Sequence, residues 1–245
     1  ELTMEQKFLA AIDIGNSRAK IGIFSEGQLL KVYHQLINEE ISSLLKSHQV
    51  HRVIVSSVNK ADEQQKIISM LEVFAPLYFS FQVKLPIELK YDTPQTLGVD
   101  RIAAAVGASF LYPAQNVLCI DCGSCITYDI LQDGKYYLGG AISPGVGMKL
   151  KALNTFTARL PLVQSGQNAA LLGKSTEQSI ISGVVNGSVA EIEGMIAHYQ
   201  AMFSNLKIVL CGGDALFFDG KIKGANFVVE DLVLIGLHQV LLNNV

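Results

Sequence analysis

Charge is scarce in this chain. Asp, Glu, Lys and Arg make up 17% of its 245 residues, and the formal net charge is -3. No stretch is rich in Lys and Arg, so the electrostatic footprint of a nucleic-acid binder or of an anionic-membrane binder is missing. Small-molecule partners are expected instead. Long apolar runs are missing too: the longest, Ile102 to Tyr112, is too short to cross a bilayer and contains Gly and Ser, which suits a core helix. Near the start, Lys7 precedes an apolar run that ends at Asp13 with no small-residue cleavage pattern after it, so no secretion signal is expected and the cytoplasm is the expected compartment. Glu1 to Thr3 precede Met4, the expected natural start, and take no part in the fold reasoning. The five histidines are scattered, none lies in a motif, and no Ser-His-Asp series is suggested.

Cysteine is also sparse, with four in the chain. Three fall at C-x-x-C-x-x-C spacing within "CIDCGSCITYD", Cys119 to Asp129, beside two aspartates and a glycine. In a cytosolic chain these thiols are expected to be reduced. A ferredoxin-type cluster requires a further Cys before Pro, which the stretch lacks, and Cys211 is distant in sequence. Strand side chains alternate between faces, so Cys119 and Cys122 are expected on opposite sides. Small buried hydrophobes are the favoured reading over a metal or redox centre.

What the chain does have is apolar material, at 49% hydrophobic, enough for a globular protein with a substantial core in one large or two ordinary domains. It also has a repeat. "AAIDIGNSRAKIGIFSEGQLL" and "LCIDCGSCITYDILQDGKYYL" share one design: an apolar run, Ile-Asp-x-Gly, a small polar residue, an alternating run and a Gly-containing turn. Asp13 matches Asp121, Gly15 matches Gly123, and Gly27 matches Gly134 after one gapped position. The chain therefore reads as duplicated, with residues 1–115 as one α/β half and 116–245 as the other.

Each copy reads as a hairpin, Phe8–Ile12 with Ala19–Phe24 and Val117–Ile120 with Ile126–Leu131, the Asp-x-Gly forming the turn. Glycine in such a turn lets the backbone approach a ligand, while N–H groups and the Ser17 or Ser124 hydroxyl can face phosphate oxygens. The aspartate would repel bare phosphate, so it makes sense as a ligand, direct or through water, of a cation that accompanies the phosphates. A lone D-x-G is mostly an ordinary turn; two in equivalent places of a duplicated chain are a far more specific signal.

Elsewhere, His51–Val58 reads as a strand, Asp62–Phe74 and Val99–Leu111 as helices, Tyr136–Ile142 as a strand, and Pro144 as opening a glycine-rich helix start. Glu177–Met202 reads as a long helix that Gly194 could interrupt, Leu206–Leu210 as a buried strand and Asp231–Leu242 as a closing amphipathic helix. "LCGGDA", Leu210–Ala215, is either a tight turn needing positive φ or a junction where a nucleotide base or ribose lies against the backbone.

"DIGNSRAK", "LGVDR", "DCGSCIT", "GKSTEQSIISG" and "CGGDA", in this order, resemble the motif series of type III pantothenate kinase, within the actin-like, sugar kinase and Hsp70 ATPase superfamily. "GVDR" shortly before the second hairpin singles out this branch. The resemblance implies a duplicated ribonuclease H-like fold with mixed sheets, and ATP-dependent phosphorylation of the terminal hydroxyl of pantothenate, the first step towards coenzyme A. It also implies Mg²⁺, a monovalent cation (K⁺ or NH₄⁺) and a homodimer. By the same resemblance Asp13, Ile14, Gly15, Asn16, Ser17, Arg18, Ala19 and Lys20 form the first phosphate loop, and Ser124 is the second ATP contact. Tyr91, Gly98, Val99, Asp100, Arg101 and Thr176 bind pantothenate, Asp100 being the catalytic base and Thr176 reaching across the dimer, while Asp121 holds the monovalent cation. The family usually has Thr at Ser17 and Ser124 and Ala at Cys125; serine keeps the hydroxyl, and cysteine is small enough to fit.

Each residue also has a plainer reading. Asp100 and Arg101 suit a helix N-terminal carboxylate beside a surface arginine, Lys20 a solvent-facing strand residue, Thr176 an N-cap, and Tyr91 simple packing. Two other functions stay open: a different small-molecule kinase of the superfamily, or an accessory transcriptional regulator using the fold to sense nucleotide. Asp13, Asp100 and Asp121 together argue for catalysis.

Overall fold

The computed structural model describes residues 8–14, 19–36, 38–57, 69–164, 166 and 169–245. They fall into two compact units: the chain up to Leu111 together with Leu232–Val245, and Tyr112–Asp231.

In the first unit, β1 (Phe8–Ile14), β2 (Ala19–Ser25), β3 (Gln28–Leu36), β4 (Val50–Ser57) and β5 (Leu77–Tyr78) form a sheet in the order β3-β2-β1-β4-β5. β1 runs antiparallel to β2 and parallel to β4. Alternation along β1 sends Ala10, Ile12 and Ile14 into a core with Ile41 and Leu45 of helix α1 (Asn38–Ser47), while Ala11 and Asp13 face the other way. That second face is covered as well, which is why β1 is apolar almost throughout. Helix α2 (Val99–Leu111) and the closing helix α6 (Leu232–Asn243) pack together in this unit, and α6 lies on β1, β2 and β4. A two-residue strand, β6 (Glu88–Leu89), precedes α2.

In the second unit β7 (Val117–Cys122), β8 (Cys125–Gln132), β9 (Tyr136–Pro144), β10 (Lys207–Cys211) and β11 (Phe227–Val228) run side by side as β11-β10-β7-β8-β9. This is the first sheet's plan again: a central strand with an antiparallel partner on one side and a parallel one on the other. The connecting helices are α3 (Val146–Thr155), α4 (Thr176–Met202) and the short α5 (Ala215–Phe218). Leu118, Ile120 and Cys122 of β7 pack with Val146, Leu150, Ile180, Val184, Ile192 and Ile196 in one core. Among the described residues α4 is the helix long and apolar enough to cross a membrane by length and composition, yet its apolar stripe builds this core.

The duplication extends to the hairpin tips. Glu26 and Gly27 have φ of 51° and 81°, and Asp133 and Gly134 have 52° and 63°. Both tips therefore take paired left-handed residues, the turn whose twist matches that of the flanking strands.

Three expectations are corrected. The hairpin turns do not begin at the aspartates, because β1 continues through Ile14 and β7 through Cys122, leaving Asp13 and Asp121 inside the ladder. Gly194 does not interrupt α4; its Cβ position is open, so the helix runs through it at only a propensity cost. The closing helix α6 (Leu232–Asn243), expected with the second half, belongs to the first unit, since it docks on α2 through two glycines. A Cβ at Gly107 would lie 2.4 Å from the Leu232 carbonyl oxygen, and one at Gly236 1.8 Å from that of Ala103. Of the helix expected at Asp62–Phe74, residues 62–68 lie outside the described ones; 69–71 are helical and Glu72–Phe74 is a 3₁₀ turn.

Gly236→Ala is expected to cost about 1–3 kcal/mol in urea unfolding through overpacking of the α2–α6 contact. Gly194→Ala is expected to gain up to ~1 kcal/mol from helix propensity. Equal midpoints for the two variants would contradict this packing.

Candidate active site

Register builds the first unit's site. Asp13, next to last in β1, pairs with Lys20 on β2 and with Ser56 on β4, so the three side chains stand in a row on one face of the sheet. The carboxyl of Asp13 is pushed up to about 6, first by burial, then by the negative charge of Asp100, with the Ser56 hydroxyl and the Lys20 ammonium pulling the other way. Gly15, Asn16, Ser17 and Arg18, expected in the first phosphate loop, lie outside the described residues; Ile14 closes β1 and Ala19 opens β2, both buried.

Asp100 stands in the first turn of α2, where the helix dipole favours a carboxylate, close enough for its charge to act on Asp13. The Arg101 N–H donates to Asp100 Oδ1 at 2.9 Å, and the Ile102 N–H to the Gly98 carbonyl at 3.3 Å. A Cβ at Gly98 would sit 2.5 Å from the Asp100 carboxylate oxygen that folds back over the helix start, so a larger residue there would push that carboxylate aside. Arg101 is buried, not the surface arginine of the plainer reading, and Val99 and Tyr91 are partly buried.

The second unit repeats the arrangement with different groups. Asp121, next to last in β7, pairs with Thr127 on β8 and Cys211 on β10. Beyond it, the Gly123 N–H donates to the Cys125 carbonyl at 2.9 Å, closing a tight turn with Ser124 exposed at its apex. Two other segments brace this turn. Gly145, the N-cap of α3, donates its N–H to the Ser124 carbonyl at 3.0 Å. Asp214 donates its N–H to the Cys122 carbonyl at 2.8 Å, and burial raises the Asp214 carboxyl above its usual range. Gly212 takes φ +87°, and a Cβ there would lie 2.2 Å from Asp121 Oδ1, so "LCGGDA" is at once a positive-φ turn and a close backbone approach to the aspartate. The signal for Ser56, Thr127, Gly145 and Gly212 was the register and the crossing of backbones, neither of which a motif scan displays.

The cysteines do not gather. Cys122 faces the core with Leu118 and Ile120, whereas Cys119 shares the opposite face with Asp121. Burial pushes the Cys122 thiol up to about 12 and those of Cys119 and Cys211 well above the ordinary value, with neighbouring carboxylates adding to the effect. All three stay protonated at neutral pH, unsuited to nucleophilic or ligand roles.

Thr176 lies elsewhere in this unit. Ser175 is the N-cap of α4, accepting the Gln178 N–H at 3.2 Å, and Thr176 faces a groove of about 830 Å³ between α3 and α4 with Leu153, Phe156, Leu160, Ile180 and Val184. Phe156 is 86% exposed there. Glu191 ties the groove wall to the sheet: Lys149 meets it at 2.6 Å, and the hydroxyls of Ser143 and Tyr128 donate to it. Burial pushes the Glu191 carboxyl up, but the hydrogen bonds from Lys149 and Ser143 outweigh it and hold it below its usual range.

A model of the type III pantothenate kinase family matches residues 9–198. The chain belongs to that family. A type III pantothenate kinase of Cytophaga hutchinsonii is 43% identical over 96% of this chain and 98% of its own length, and one of Flavobacterium johnsoniae 40% identical over 94% and 96%. Among solved structures, a protein of Campylobacter jejuni titled as a Baf family transcriptional activator superposes with a TM-score of 0.63 at 22% identity, covering 96% of this chain and 98% of that one. An inorganic polyphosphate/ATP-glucomannokinase of Arthrobacter superposes at 0.51 and 14% identity, covering 97% and 99%. At these identities the two structures speak for the fold alone: the actin-like and sugar kinase architecture.

Because the native state of this kinase holds the Asp13 proton up to about 6, above the 3.8 of an ordinary aspartate, unliganded protein loses stability as pH rises through that window. Asp13→Asn, which has no charge to bury, is expected to melt higher than wild type at pH 8 in chelator without nucleotide, with the margin shrinking as pH falls towards 4. A margin that does not change with pH would show that Asp13 carries no such burden.

Proposed function

We infer that this chain transfers the γ-phosphoryl group of ATP to the terminal hydroxyl of pantothenate, with a divalent metal, as the entry step to coenzyme A. Family membership supports the reaction. The observation that carries the assignment of roles is the placement of Asp100 at the start of α2, near enough to Asp13 for its charge to raise that carboxyl.

Phosphoryl transfer asks the protein mainly for in-line positioning and for charge to offset the phosphates. Asp100, oriented by the Arg101 N–H, accepts the proton of the primary alcohol as it attacks the γ-phosphorus, a contribution of roughly 100- to 10,000-fold. Arg101, Tyr91, Gly98 and Val99 bind pantothenate around it, the guanidinium by charge-assisted hydrogen bonds. The first phosphate loop, Asp13 to Lys20, and Ser124 contact ATP. The Asp13 carboxylate, an oxygen donor at the end of its strand, suits a hard divalent cation, which when bound would offset phosphate charge. Asp121, braced by the Gly212 backbone, holds a monovalent cation. The protein works as a cytoplasmic homodimer, the apolar groove beside Thr176 being covered by the second copy so that Thr176 serves the partner's pantothenate; an exposed Phe156 in that groove supports this reading.

Asp100→Asn is expected to lower kcat by at least about 100-fold while ATP binding, followed by calorimetry, and the melting temperature stay near wild type. Near-normal turnover in that variant would remove Asp100 as the base.

A further inference from the structure

The two units differ at one corresponding position. In the first, the strand partner of Asp13 across the hairpin is Lys20; in the second, the strand partner of Asp121 is Thr127. One aspartate faces a built-in cation and the other a neutral hydroxyl.

That hydroxyl is held in a fixed direction. Thr127 Oγ1 donates to Asp129 Oδ2 at 3.0 Å, and the Tyr137 hydroxyl donates to Asp129 Oδ1 at 2.7 Å. Asp129 is 1% exposed and Tyr137 fully buried, so this arrangement sits on the same sheet face as Asp121, one pair further from the turn. A hydroxyl has a single hydrogen. With that hydrogen given to Asp129, Thr127 Oγ1 presents only lone pairs to its neighbours. Were the hydrogen given to Asp121 instead, it would occupy an oxygen of that carboxylate and weaken its attraction for a cation.

We propose that Asp129 and Tyr137 fix the Thr127 hydroxyl as an acceptor, so that Thr127 Oγ1 joins the Asp121 carboxylate as an oxygen ligand of a monovalent cation standing where the first unit places the Lys20 ammonium. The inference rests on the reading of Asp121 as the cation residue. Asp129 and Tyr137 are positioning residues; buried partners of this kind usually carry 10- to 100-fold in metal affinity.

The test reads thermal midpoints of the full-length protein as potassium chloride replaces choline chloride at constant ionic strength. Wild type and Thr127→Ser are expected to rise with potassium at similar concentrations. Thr127→Val and Asp129→Asn are expected to need roughly 10- to 100-fold more. Thr127→Lys, which restores the first unit's pairing, is expected to lose the potassium response and to turn over in sodium. Should Asp129→Asn fail to fold, Tyr137→Phe is expected to move the same way. If wild type itself ignores potassium, the cation reading of Asp121 falls and this inference with it. If wild type responds and Thr127→Val responds at the same concentration, the inference is overturned while Asp121 keeps its cation.

Discussion

The hydrogen-bond register of the two central strands is the constraint on which the rest depends. In β1 and β7 alike, the aspartate is the next-to-last residue, locked between an antiparallel and a parallel neighbour. A slip of one residue would carry Asp13 into the layer of Ala10, Ile12 and Ile14, and Asp121 into that of Leu118, Ile120 and Cys122. Burying a carboxylate there without partners costs several kcal/mol, so the apolar pattern that makes each core also fixes where each carboxylate emerges. Fold and site are set by one alternation.

The same constraint explains why the glycines sit where they do. Gly98 gives room to the Asp100 carboxylate and Gly212 to that of Asp121, while Gly145 lets the start of α3 rest on the turn that carries Ser124. Each is a place where a backbone passes within contact distance of an aspartate carboxyl or of the Ser124 turn, a need of that close approach and not of the core. The Glu191 network then fastens α3 and α4 to β8 and β9, so the bracing of the second turn is tied to the wall of the groove that holds Thr176.

Much of this was legible in the sequence because strong local patterns carried it. The Ile-Asp-x-Gly repeat gave the duplication, helix α2 has the bounds read from its apolar run, and α4, β10 and α6 each fall within a residue of theirs. The motif series pointed to the family that the comparisons show. Less legible were features with no local signature. β3 mixes exposed Lys31 and His34 with apolar residues and offers no clean alternation, and α1 is a short, weakly apolar helix. The docking of α6 on the first unit depends on Gly107 meeting Gly236, residues more than a hundred positions apart. Thr127 and Ser56 became visible as neighbours of the aspartates only once the strands were aligned.

The central claim is that these carboxylates and turns serve transfer of a phosphoryl group to pantothenate. Its most direct test is mass-spectrometric analysis of products formed by purified protein with ATP, Mg²⁺ and pantothenate, in potassium and again in sodium. The account predicts 4′-phosphopantothenate, formed in potassium and much reduced in sodium. A folded, ATP-binding protein that yields no phosphopantothenate in either salt would contradict it.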